Sequence, residues 1–136
     1  MAASALVDAG FLVALLSRRD GNHRWAAAQA ERLTLPWITC DAALSEAFHL
    51  LGSRGGQALA ALLRRGAVIP RFDLGGELLR VLRLMKRYSS VPMSLADACL
   101  VRMSEILADP VVLTTDSDFR IYRRHSRHEI PSRMPD

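Results

Sequence analysis

The sequence predicts an α/β fold in which a mainly parallel sheet is covered by helices on both faces. Three observations predict it. Short apolar runs recur at residues 5–7, 35–39, 68–70 and 111–115, each the length of a strand. Segments with helical spacing of apolar residues lie between them, and strands alternating with helices build parallel sheets covered on both sides. Finally, acidic residues stand where apolar runs end: Asp8 closes the first run and Asp116 the last.

Residues 5–7 read as a buried strand, followed by Gly10 and an apolar segment over 11–16. Ser17-Arg18-Arg19-Asp20-Gly21-Asn22 is a turn cluster, with Asn22 set to cap a helix over 23–33. A second strand covers 35–39 and a helix 42–51. The glycine-rich stretch 52–56 punctuates before a further helix over 57–65. Residues 68–70 form a third strand, which Pro70 directs to a sheet edge because proline donates no ladder bond. Leu78, Leu79, Leu82 and Met85 give helical spacing over 74–88. Pro92 breaks the chain, and Ser94 starts a helix that runs to about Leu107. Asp109-Pro110 ends it, and 111–115 is the clearest strand. From Arg120 onward the tail is basic, with His128-Glu129-Ile130 a short edge strand. No repeat, low-complexity segment or linker intervenes, so residues 1–136 read as one domain.

Half the residues are hydrophobic and only 6% aromatic, which suits a packed core and excludes a disordered chain. The longest apolar stretch is interrupted by Asp8 and too short to span a bilayer. Met1-Ala2-Ala3-Ser4 lacks a basic leader region, so a cytoplasmic protein without membrane association is expected. Cys40 and Cys99 have apolar neighbours and no CxxC spacing, which predicts reduced core thiols. The net charge of +4 rests almost wholly on arginine, Lys86 being the sole lysine. Arginine's planar fork matches phosphate, so an anionic partner is expected.

The acids carry the chemistry. Asp8 alone would be an Asx turn or a cap. Asp97 fits a capping box with Ser94. Glu46 sits mid-helix beside Ala43, Ala47 and Leu50, and Asp116 with Asp118 follows a strand. Each has a structural explanation. Together, two strand-end acids and two helix-borne acids reading toward one sheet edge are oxygen ligands for a hard divalent cation. Crowding should raise the pKa of at least one of them. Glu46-Ala47-Phe48-His49 also has the Glu-x-x-His spacing of di-iron bundles, but those need the motif twice and no second copy exists. His23 reads as packing locally, and His125 and His128 belong to the basic tail. Trp25 and Trp37 read as packing residues rather than a stacking platform.

The pieces Leu6-Val7-Asp8-Ala9-Gly10-Phe11, Asp20-Gly21-Asn22-His23, Glu46, Ser94-Leu95-Ala96-Asp97-Ala98 and Leu113-Thr114-Thr115-Asp116-Ser117-Asp118-Phe119 run nearly end to end. In order and spacing they resemble the PIN domain, and within it the VapC-type toxins of bacterial toxin–antitoxin pairs. The resemblance implies an α/β/α sandwich and endoribonuclease activity with Mg2+ or Mn2+. It matches Asp8, Glu46, Asp97 and Asp116 to the family's acidic quartet, and Thr114 and Asp118 to its accessory polar positions. It also implies RNA as substrate, a cognate antitoxin as partner and a homodimer. One departure stands out: Ala9-Gly10 replaces the Thr-Asn or Thr-Ser pair that many members carry after the first Asp, so a supporting hydroxyl or amide is absent there. Arg64, Arg65, Arg123 and Arg124 are expected to hold RNA phosphate. The alternatives are a noncatalytic PIN-like module that binds RNA or protein, and a phosphoryl-accepting receiver domain. The receiver reading needs a lysine at the site, whereas Lys86 lies on a helix among arginines.

Overall fold

Strand and helix alternate through residues 4–136, the part of the chain that this computed structural model describes. The leader reading at Met1-Ala2-Ala3 lies outside the described residues. In chain order come β1 (Ser4–Val7), α1 (Ala9–Leu16), α2 (His23–Arg32), β2 (Trp37–Thr39), α3 (Asp41–Arg64), β3 (Val68–Pro70), α4 (Leu74–Arg87), α5 (Leu95–Ile106) and β4 (Pro110–Leu113). A 3-10 turn at Ser117–Arg120 leads to β5 (Arg123–Arg124), β6 (His128–Glu129) and β7 (Ser132–Arg133).

The main sheet has five strands in the order β3-β2-β1-β4-β7, and every neighbouring pair is parallel. β1 lies at its centre, in register with β4 from Ser4 opposite Pro110 to Val7 opposite Leu113. Alternation along these strands sends side chains to two cores. Leu6, Ile38 and Val112 join α4, α5 and Tyr122 on one face. Ala5, Val7, Trp37 and Leu113 join α1, α3 and Phe11 on the other. The result is the predicted three-layer α/β/α sandwich. β3 occupies an edge, as Pro70 requires. The indoles of Trp25 and Trp37 both pack edge-on to Phe11. Among the described residues no helix is long and apolar enough to cross a membrane.

Four local expectations change. Asn22 does occupy the N-cap of α2, but its side chain makes no capping bond. Its backbone N–H instead donates to the Asp20 carboxylate at 2.8 Å, which ties the turn to itself. The break within 52–56 narrows to Gly52, whose φ of 68° only glycine adopts easily, and α3 resumes at once. On α4 the core face is Val81 and Leu84, while Leu78, Leu79 and Leu82 face solvent at 43, 70 and 48% exposure. Finally, His128–Glu129 pairs antiparallel with β5 in a separate hairpin, and the edge of the main sheet is Ser132–Arg133.

Candidate active site

In a parallel sheet the strands all end on one side, and the loops there gather residues from distant parts of the chain. β1 and β4 end side by side at Val7 and Leu113, so Asp8 and Thr114 follow as neighbours. The Asp8 backbone N–H continues the ladder to Leu113 O at 3.0 Å. Its carboxylate then turns into the helix start. Oδ1 accepts from Ala9 N at 2.7 Å and caps α1, and Oδ2 accepts from the Thr114 hydroxyl at 2.8 Å. The Thr114 hydroxyl also accepts the Asp116 N–H at 3.0 Å, so one buried oxygen links two of the acids. Asp116 in turn caps the 3-10 turn, accepting from Asp118 N at 2.9 Å.

Asp97 enters from the first turn of α5. The predicted capping box is present: Asp97 N donates to Ser94 Oγ at 3.0 Å, and Ser94 N donates to Asp97 Oδ2 at 3.1 Å. Sequence reasoning did not single out a second donor to the same oxygen, the Tyr122 hydroxyl at 3.1 Å. Tyr122 is fully buried, with its ring edge-on to Tyr88 and Phe119. Both bonds fall on Oδ2, which leaves Oδ1 without a protein donor among the described residues. Nothing local marks Tyr122 in the sequence, because its partner is 25 positions away.

Electrostatics knit the group together. Burial above all, helped by the charges of Asp97 and Glu46, pushes the Asp8 carboxyl up to about 6 against the pull of its two hydrogen bonds. Burial also raises Asp97, with the charge of Asp116 adding to it. Crowding therefore contributes as expected, but desolvation leads. Burial and the Asp97 charge raise the Tyr122 phenol as well, so it stays a neutral donor. Glu46 differs from the others: it stands exposed on α3 and is felt at Asp8 through its field rather than by contact. Among the described residues, no three His, Cys, Asp or Glu side chains gather closely enough to hold a metal ion by themselves.

The Ala9-Gly10 departure has a counterpart in space. A Cβ on Gly10 would collide with the Thr115 hydroxyl, so a hydroxyl from the end of β4 fills the room a side chain at position 10 would take. The remaining candidates are dispersed. Arg64 and Arg65 are exposed at the end of α3, just before β3 begins, at the sheet edge opposite the acids. The Arg123 guanidinium donates to the carbonyls of Arg120, Ile121 and Tyr122. Arg124 donates to Ser104 O at 2.9 Å and Leu107 O at 2.7 Å, closing the last turn of α5. His23 bonds Ala14 O at 2.8 Å, and His49, His125 and His128 are exposed. Cys40 and Cys99 are buried free thiols.

The sequence profile of the PIN domain matches residues 5–124, a span that holds all four acids. The chain belongs to the PIN domain family. Among solved structures, this PIN domain is similar to the crystal structure of VapC20 from Mycobacterium tuberculosis, a sarcin-ricin loop cleaving toxin. The TM-score is 0.75 at 22% sequence identity, over 85% of this chain and 92% of that one, a likeness that shows the shared fold. No curated protein matches the chain.

Proposed function

We propose that this PIN domain is a divalent-metal-dependent endoribonuclease that hydrolyses RNA phosphodiester bonds, acting as the toxin of a toxin–antitoxin pair. The observation that carries the reading is Asp8: a carboxylate buried at the end of the central strand, its pKa raised, in the field of two further acids. Ionised, such a group costs stability, which makes it a candidate for function. The donor set fits Mg2+ or Mn2+, because hard cations take oxygen and Mg2+ is usually held by one or two carboxylates together with waters and substrate phosphate. Of Asp8, Asp97, Asp116, Glu46 and Asp118, one or two would hold the cation directly and the others through its bound waters. When bound, it supplies positive charge to phosphate oxygens and lowers the pKa of an attacking water.

The chain's own residues prepare that site. Thr114 fixes Asp8 and, through its second bond, the backbone at Asp116. Ser94 and Tyr122 hold one oxygen of Asp97, which leaves the other without a donor among the described residues. Glu46 reaches the same side from α3 with nothing buried to restrain it. The fold shared with a sarcin-ricin loop cleaving toxin supports the toxin role and, with it, a cognate antitoxin as partner; a homodimer in the cytoplasm completes the proposal.

Purified protein should cleave RNA with Mg2+ or Mn2+ and stop with a chelator, and Asp8→Asn and Asp97→Asn should each reduce cleavage to background in a folded protein. Undiminished turnover in either variant contradicts the assignment. RNA binding with no metal-dependent cleavage would instead mark a noncatalytic module.

A further inference from the structure

A cavity of about 400 Å³ lies between α4 and α5, lined by Arg80, Arg83 and Arg87 of α4, by Arg102 and Glu105 of α5, and by Ser126 at the hairpin tip. Its walls are built rather than incidental. Arg102 pairs with Glu77 at 2.8 Å and with Glu105 at 3.2 Å. Glu105 also accepts the His125 N–H at 2.7 Å, so Glu77 and Glu105 share the one charge of Arg102, against the three positive charges of Arg80, Arg83 and Arg87 on α4. Arg87 is held by Ser126 Oγ at 2.6 Å, beneath a turn in which His125 and Ser126 both take positive φ. Arg80 and Arg83 are exposed and form no hydrogen bond or ion pair among the described residues. The positions 80, 83 and 87 share one helix face.

In the basic tail, by contrast, Arg123 and Arg124 donate to backbone carbonyls. Among the described residues, Arg80 and Arg83 on α4 keep their donors free. In the α5 wall, Arg102 follows Asp97 by about 7.5 Å at the usual helical rise. Leu84 is the one apolar residue in the lining and is buried, and the rest of the lining is dominated by arginine. Guanidinium forks match phosphate.

We propose that this groove is a binding site for the phosphate backbone of single-stranded RNA, held by Arg80, Arg83 and Arg87. The proposal rests on the ribonuclease reading. The test measures binding of a labelled single-stranded RNA in chelator, so that no cleavage occurs, over a range of salt. R80Q/R83Q is compared with the charge-matched R24Q/R32Q, whose arginines are exposed on α2. R80Q/R83Q should weaken binding at least tenfold, and the slope of log affinity on log salt should fall by about 1.4, two phosphates' worth for a single strand. R24Q/R32Q should change affinity less than twofold. Equal losses in both variants, or none in R80Q/R83Q, overturn the groove while leaving the ribonuclease reading intact if wild type still cleaves. Tighter binding of polyglutamate than of RNA, lost in R80Q/R83Q, assigns the groove to an acidic protein and also overturns the proposal. Wild type that neither binds nor cleaves RNA removes the underlying reading. R83Q alone, melting as wild type does, separates lost contact from lost fold and should keep part of the effect.

Discussion

At the carboxyl end of β1 the charged groups are buried and hydrogen bonded, whereas on α4 Arg80 and Arg83 stand in solvent without partners. The difference is one of cost and range. Asp8 and Asp97 are desolvated, so their charge is little screened by salt and weighs on stability. The arginines are hydrated, contribute little to folding, and act over a distance that salt controls. Changes at the acidic end should therefore be large, pH-dependent and metal-dependent. Changes at the groove should be graded and salt-dependent.

The largest stability effect belongs to Asp8. Its folded pKa is raised from 3.8 to about 6, so the folded state binds the proton more tightly than the unfolded chain does. Without metal, the resulting stability is fully present below about pH 4 and lost as pH rises to about 6, a change of about 3 kcal/mol. Asp8→Asn should remove most of that slope and raise the metal-free melting temperature at pH 7.5. Denaturant melts across pH 4–7 check this, and an unchanged slope would break the contrast with the arginine side.

Tyr122→Phe comes next. It leaves the aromatic packing and removes one donor from Asp97 Oδ2. Divalent affinity should fall by about 10–100-fold, in the range of lost supporting bonds around a metal ligand. Titration of Mn2+ into RNA-free protein reads this directly. Unchanged affinity would make Tyr122 a packing residue only.

The smallest effect is expected at Arg124, whose two bonds close the C-terminus of α5. Arg124→Ala should lower stability by about 1 kcal/mol and change RNA affinity less than R80Q/R83Q does. A loss of RNA affinity without a change in melting would return phosphate binding to the tail.

What was legible follows the same division. β1 and β4 were readable because each is an apolar run ended by an acid, and burial on both faces forces that pattern. The capping box at Ser94 was readable because its partners are three residues apart. Contacts made at long range were not. Tyr122 and Asp97 meet only because the hairpin folds back over α5, and β7 is two residues held by backbone pairing with no apolar signature. Arg123 and Arg124 looked like free charge because sequence does not reveal which carbonyls lie nearby. On α4 the leucines drew attention, although Val81 and Leu84 form the core face and the arginines one turn apart line the groove.

The most direct test is calorimetric titration of Mn2+ into the metal-free protein at pH 6, repeated in buffers of different ionisation enthalpy. Asp8 is then about half protonated, so wild type should bind Mn2+ with release of about half a proton. Asp8→Asn should lose both the affinity and the proton. Wild-type affinity retained in Asp8→Asn, or binding without proton release in wild type, would contradict a cation held at the end of the central strand.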